Sequence, residues 1–245
     1  MVMPKIRFFL ILIVILPGWS LGAELPQQLQ GLGLREAAVA SRDLPGWSPP
    51  SRIVVRNVFG QDLSGMLAKQ VAGVEFVGVT SAEEAQQRIA GAQALIGFCE
   101  QEIFADADAL RWVQVYFSGV ENCVTQPAMA QGGLLLTNGQ RLSGPTIAEH
   151  TLGLMFSLVR DLPGYYQSQL DGQWQPRYGL QMGELSGRTL LVVGLGGIGT
   201  QLAQRAHALG MRVIATRGSR REGPDYVEYV GLAEEALELS RRADF

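Results

Sequence analysis

The stretch that most restricts how this chain can fold is Leu190 to Arg221, LLVVGLGGIGTQLAQRAHALGMRVIATRGSRR. Leu190 to Val193 is an apolar, β-branched run of strand length, and Gly194, Gly196 and Gly199 follow at G-x-G-x-x-G spacing. Thr200 to Leu209 then reads as a helix with apolar residues at Leu202, Ala203, Ala206 and Leu209, Gly210 stops it, and Arg212 to Thr216 is a second apolar strand. A lone G-x-G-x-x-G arises by chance in a chain with 30 glycines. Strand, glycine turn, helix and strand in succession form the unit of a right-handed βαβ crossover, and that context makes the reading specific.

Each glycine has a mechanical reason. Gly194 permits a tight turn, Gly196 lets a pyrophosphate approach the backbone, and Gly199 lets the helix pack close to the strand. The N–H groups of Gly197 and Ile198 then face the phosphates at the positive end of the helix, so the unit is expected to hold a dinucleotide. A strand that selects NAD usually ends in an acidic residue that takes the ribose hydroxyls. This one ends in Arg217, and Arg217, Ser219, Arg220 and Arg221 offer guanidinium forks and a hydroxyl to a 2′-phosphate. The basic cluster therefore favours NADP over NAD, against the plainer reading of a solvated loop.

The rest of the composition excludes other classes. With 245 residues, 47% of them hydrophobic, the chain can bury one large core or two smaller ones. A net charge of −3 without a long basic stripe argues against a nucleic-acid surface. Cys99 and Cys123 are too few for a disulfide framework and lack the His spacing of a zinc site, so buried free thiols are the expectation. At the N-terminus Lys5 and Arg7 precede the apolar run Phe8 to Leu16, Pro17-Gly18 breaks it, and Ser20 to Ala23 offers small residues for cleavage. Residues 1–23 are read as a secretory signal peptide or an uncleaved anchor, which implies an exported or membrane-anchored protein, or a cytoplasmic one if the start is misread. No other membrane contact is expected. Residues 24–51, with Pro49-Pro50, read as a flexible lead-in.

From Arg52 the chain alternates short apolar runs with helix-compatible segments. The runs are Ile53 to Val58, Val74 to Thr80, Ala94 to Phe98, Val113 to Phe117 and Leu134 to Thr137; Ser81 with Glu84 forms a capping-box pattern at the start of Ser81 to Ala90. The alternation predicts an α/β fold with a parallel sheet, whose ligands sit beyond the carboxyl ends of the strands, in the loops after Phe98 and Phe117. A Gly/Ser/Pro turn at Ser143 to Pro145 then leads into one long apolar helix, Thr146 to Arg160, that Pro163-Gly164 ends. The turn marks the boundary between a first domain, 52–142, and a second, 143–245.

Several ordered motifs together resemble the D-isomer-specific 2-hydroxyacid dehydrogenases: LRWVQVYFSGVENC, TIAEHTLGLMFSLVRDLP, GQW and GELSGRTLLVVGLGGIG, over roughly Arg52 to Phe245. The resemblance implies a flavodoxin-like substrate domain followed by a Rossmann dinucleotide-binding domain, with a cleft between two doubly wound units and a homodimer when complete. It implies hydride transfer between NAD(P)H and a small 2-keto or 2-hydroxy acid, of the glyoxylate or hydroxypyruvate kind, with backbone groups of Ser118, Gly119 and Val120 holding the substrate carboxylate. SGVEN also fits an ordinary strand-to-helix turn.

The family's Arg clamp, acidic residue and general-base His lie downstream of the first nucleotide-domain strands. The chain ends in RRADF, where the resemblance would start the third of those strands, so the Rossmann domain is expected to be incomplete and this chain alone inactive. His150, beside Glu149 on the long helix, and His207 match no catalytic position and are read as structural, as is Glu149. The rival reading is a non-catalytic nucleotide-binding protein that kept the fold, which an exported Rossmann protein makes worth weighing because extracytoplasmic compartments lack a large nicotinamide pool. No metal site and no catalytic residue is assigned.

Overall fold

A computed structural model describes residues 38–44, 47–174 and 182–245. The expected signal peptide and much of the lead-in lie outside the described residues. Two compact units are present, one running to Asn138 and the other from Gly139 to Phe245.

The first unit alternates strand and helix along the chain: β1 Arg52–Arg56, α1 Leu63–Ala68, β2 Glu75–Val79, α2 Ala82–Arg88, β3 Ala94–Ile96, α3 Gln101–Phe104, β4 Trp112–Gln114, α4 Glu121–Val124, α5 Pro127–Ala130 and β5 Leu135–Thr137. All five strands are parallel, in the order β2-β1-β3-β4-β5. That is the flavodoxin-like winding, with its switch point between β1 and β3. The apolar runs dictate it, because a strand covered by helices on both faces must be apolar at successive positions. Ile53, Val54 and Val55 in β1 and Ala94, Leu95 and Ile96 in β3 are all buried. Alternate residues serve opposite faces: Val54, Leu95 and Val113 pack with Ala85, Ile89 and Ile103, while Ile53, Val55, Ala94 and Ile96 pack with Leu63.

Helix α2 starts as its sequence predicts, with one shift. The Ser81 hydroxyl accepts from the Glu84 N–H at 3.2 Å, but the Glu84 carboxylate reaches past Ser81 and accepts from the Thr80 N–H at 2.7 Å. Those bonds hold the Glu84 carboxyl below the usual carboxylate range, the backbone bond from Thr80 most strongly.

The cysteines correct the sequence reading. Cys99 and Cys123 are joined in a disulfide, with Cα atoms 5.3 Å apart. The physical reason is the crossover: Cys99 follows β3 and Cys123 lies in the helix after the neighbouring β4, so pairing of these strands brings the two residues into one apolar cluster. Their separation of 24 residues carries no sign of that.

The second unit contains α6 Gly144–Val159, α7 Leu162–Leu170, β6 Thr189–Val193, α8 Gly197–Ala208, β7 Arg212–Arg217, β8 Tyr229–Leu232 and α9 Ala236–Ser240. Strands β6, β7 and β8 are parallel and adjacent in that order. Its core joins Leu190 and Val192 of β6, Val213 and Ala215 of β7, and Leu202, Ala203 and Ala206 of α8 to Ala148, Leu152 and Met155 of α6. Pro163-Gly164 does not end the long helix. Helix α6 stops at Val159, Asp161 turns the chain with φ +47°, and Pro163 sits in the first turn of α7, where its missing N–H costs no helical bond.

The third strand of this unit is likewise not at RRADF. It is β8, a four-residue strand whose shortness and central glycine hide it in the sequence. The Asp244 and Phe245 N–H groups instead donate to the Thr189 carbonyl at 2.9 and 3.2 Å, and the Leu191 N–H donates to the Phe245 carbonyl at 2.9 Å. The Arg188 carbonyl bonds towards β7, and successive residues of a strand alternate in bonding direction, so Asp244-Phe245 lies on the β6 edge away from β7. The order β8-β7-β6 followed by this segment is the Rossmann arrangement, with its switch point beside the glycine turn.

Candidate dinucleotide and substrate sites

The glycine turn is built as its spacing predicts. Gly194, at the carboxyl end of β6, has φ +97°, a region that disfavours a side chain, and its N–H faces the Thr216 hydroxyl at 3.3 Å. A Cβ on Gly199 would lie 2.2 Å from the Gly194 carbonyl oxygen and 2.8 Å from Val192 Cγ1, so only glycine lets α8 sit this close to β6. Gly196 differs, because nothing lies within 4 Å of a Cβ there. Its side-chain space is kept open, not packed.

Helix α8 begins at Gly197, and its first hydrogen bond runs from the Thr200 N–H to the Gly196 carbonyl at 2.9 Å. The N–H groups of Gly197, Ile198 and Gly199 precede that bond and have no partner within the helix. They point out of its positive end, beside the open space at Gly196.

Arg217 is the last residue of β7 and half-buried, and its Nε is buried without a hydrogen-bond partner among the described residues. Burial, then the neighbouring charge of Arg220, hold its pKa below the usual guanidinium value; Glu222 opposes this and Arg141 adds to it. Ser219 and Arg220 are exposed beside it. Arg221 is drawn off: it pairs with Glu235 at 2.7 Å and donates to the Tyr229 hydroxyl at 3.1 Å. Arg141, which the sequence reading passed over, brings a further cation to the turn from the loop before α6. Cations, an orphaned guanidinium nitrogen, outward N–H groups and an open Cβ position together fit a phosphate-bearing dinucleotide.

Ser118, Gly119 and Val120 follow β4 at the carboxyl end of the first unit's sheet. The Ser118 carbonyl accepts from Asn138 Nδ2 at 2.7 Å, and Val120 precedes α4. The Glu121 carboxylate folds back over the loop, one oxygen 2.7 Å from where a Cβ on Gly119 would stand. At the same sheet end the Tyr116 hydroxyl donates to the Arg56 carbonyl at 2.7 Å, and burial pushes its pKa up to about 12. The Arg56 guanidinium lies 4.8 Å above the Phe98 ring. Arg56 is a second cation the sequence reading did not single out; its position at the carboxyl end of the apolar run of β1 was the available signal.

His150 and His207 are both exposed on helices, and His207 stacks against Tyr226 at 5.8 Å. Glu149 pairs with Arg205 at 3.4 Å across α6 and α8. Among the described residues no group of His, Cys, Asp and Glu could hold a metal ion.

Residues 152–245 match the family described as D-isomer specific 2-hydroxyacid dehydrogenase, NAD binding domain. The chain is 30% identical over 198 residues to a D-3-phosphoglycerate dehydrogenase of Methanocaldococcus jannaschii, covering 79% of this chain and 37% of that protein. It is 36% identical over 114 residues to a hydroxypyruvate reductase of Thermotoga maritima, covering 46% of this chain and 37% of that one. Among solved structures it resembles a D-isomer specific 2-hydroxyacid dehydrogenase family protein from Aeromonas salmonicida, with TM-score 0.66, 26% identity, and coverage of 79% of this chain and 61% of the other. The chain thus spans less than two thirds of the length of these proteins. By its two windings, its glycine turn and these likenesses, the chain is similar to the D-isomer-specific 2-hydroxyacid dehydrogenases, and its residues 152–245 match the model of their NAD-binding domain.

Proposed function

We propose that this chain is part of an oxidoreductase that moves a hydride between a nicotinamide dinucleotide and a small 2-keto or 2-hydroxy acid of the glyoxylate or hydroxypyruvate kind, with NADP preferred. The observation that carries the reading is the glycine turn, whose Gly196 is kept clear while Gly199 is packed to contact. When bound, the nicotinamide supplies or accepts the hydride. The chain's own residues bind and orient: the N–H groups of Gly197 and Ile198 take the pyrophosphate, and Gly194 and Gly199 shape the turn. Arg217, Ser219 and Arg220 take a 2′-phosphate. The backbone at Ser118, Gly119 and Val120 takes the substrate carboxylate. Relatives named as dehydrogenases and reductases support an enzyme over a non-catalytic nucleotide binder. Leu154, Leu158, Leu162 and Tyr166, exposed along α6 and α7, support pairing with a second copy.

Export belongs to the same proposal. No described helix is long and apolar enough to cross a membrane. Two independent features point outward: the leader-like residues 1–23 and the Cys99–Cys123 disulfide, a bond that persists in oxidising compartments and is rare in the cytosol. Protein from its native host should begin at Ala23 or Glu24. An intact Met1 on soluble cytoplasmic protein overturns this.

Cofactor preference is tested by Arg217→Asp. Removing a charge-assisted pair and adding a carboxylate should weaken NADPH roughly ten- to a hundredfold while sparing NADH, the range for a hydrogen bond to a charged group. Both dissociation constants are measured at one salt concentration, because the phosphate contribution is screened. Equal losses for the two cofactors would reduce the basic cluster to a solvated loop.

A further inference from the structure

We propose that Arg141 is a pyrophosphate-binding residue of the dinucleotide site, reaching it from the loop before α6. The inference rests on the dinucleotide reading above and adds to it a residue outside the strand-turn-helix unit.

The first observation is an unexplained glycine. The fingerprint requires glycine at 194, 196 and 199 but not at 197, and Gly197 does not have positive φ. What a side chain at 197 would meet is Arg141: its Cγ lies 3.1 Å from the position of a Cβ, and its Cα and Cβ lie at 3.6 and 3.7 Å. The Arg141 stem therefore lies across the first residue of α8, whose N–H is among those facing the phosphates.

The second observation is conformational. Arg141 has φ +72°, a left-handed conformation that is unfavourable for a residue with a side chain. Its side chain is exposed, so burial of apolar surface does not offset the cost. Such strain, held at a ligand-binding turn, aims a side chain that a relaxed loop would not present.

The third observation is charge. The cation of Arg141 acts on Arg217, which also feels Arg220, so three guanidiniums gather about one helix start that is itself electropositive. Glu222 opposes them, and the phosphates of a bound dinucleotide would add further negative charge among the three. A dinucleotide supplies two kinds of phosphate there. The stem's seat on Gly197, not on the end of β7, assigns Arg141 to the pyrophosphate shared by NAD and NADP.

The test uses the full 245-residue chain, with Kd for NADH and NADPH measured by titration calorimetry for wild type, Arg141→Gly and Arg141→Lys. Arg141→Gly relieves the left-handed strain, so its melting temperature without ligand should not fall. Its Kd should rise roughly ten- to a hundredfold for both cofactors alike. Arg141→Lys keeps the charge without the fork and should fall between wild type and Arg141→Gly. Wild-type binding with no loss in Arg141→Gly overturns the inference, and a loss confined to NADPH overturns the pyrophosphate assignment. A wild type that binds neither cofactor overturns the dinucleotide reading itself.

Discussion

At the residue scale, two glycines of one turn have opposite physical duties. A methyl group on Gly199 would press on the Gly194 carbonyl and Val192, so Gly199→Ala should destabilise the second unit by about 1–3 kcal/mol, the usual cost of overpacking. Gly196 has φ −90° and empty space around its Cβ position. Gly196→Val should leave the thermal melt nearly unchanged and abolish binding of both cofactors. Melting curves and titrations on the two variants separate the duties, and a Gly196→Val chain that still binds NADH would show that no ligand uses the space. Nothing in the letter G distinguishes the two positions; the packing separates them, crowded at Gly199 and open at Gly196.

At the element scale, short segments are held by ties the residue pattern does not reveal. The turn from β8 to α9 is one: Glu235 accepts from the Leu232 N–H at 2.7 Å, from the Tyr229 hydroxyl and from Arg221. These bonds, the backbone one most strongly, hold its carboxyl at about 2, below its ordinary 4.5. A depressed folded pKa contributes stability that is complete above the unfolded value and lost as pH falls through the folded one. The second unit should therefore lose stability between about pH 4.5 and pH 2, and Glu235→Gln should flatten that limb. Denaturant midpoints measured across that window check it, and identical slopes in both proteins refute it. The Cys99–Cys123 bond is the other tie, joining α4 to the loop after β3. Closing a loop of this length restricts the unfolded chain by about 3 kcal/mol, so the Cys99→Ala/Cys123→Ala double variant should unfold at correspondingly lower urea concentration. Equal midpoints for oxidised wild type and the double variant would show that the bond adds nothing.

At the scale of the whole molecule, each unit carries its own core, one around Leu95 and Val113, the other around Ala203 and Val213. Units with separate cores unfold separately unless a large interface couples them. Calorimetry should resolve two transitions. A cofactor that binds only the folded second unit stabilises it alone, by about 2.7 kcal/mol at a concentration one hundred times its Kd. NADPH should therefore move one transition and leave the other in place. A single transition that shifts as a whole would show that the two cores unfold together.

Local periodicity and turn chemistry made the strand and helix alternation, the α/β class and the glycine turn legible, because each depends on neighbours a few positions away. Residues 53–55, 94–96 and 190–193 declare buried strands by unbroken apolar runs, whereas β8, four residues long and interrupted by Gly231, makes no such declaration. What the sequence could not reveal is long-range adjacency. The meeting of Cys99 with Cys123, the capture of Arg221 by Glu235, and the seat of Arg141 on Gly197 each join residues that pattern leaves unrelated. Strand order decides such neighbours, and strand order is set by crossovers and by the burial of whole faces. The sequence alone marked the glycine turn proposed to hold a dinucleotide; only the tertiary structure decided that Arg141 and Arg217 lie beside that turn while Arg221 is held by Glu235.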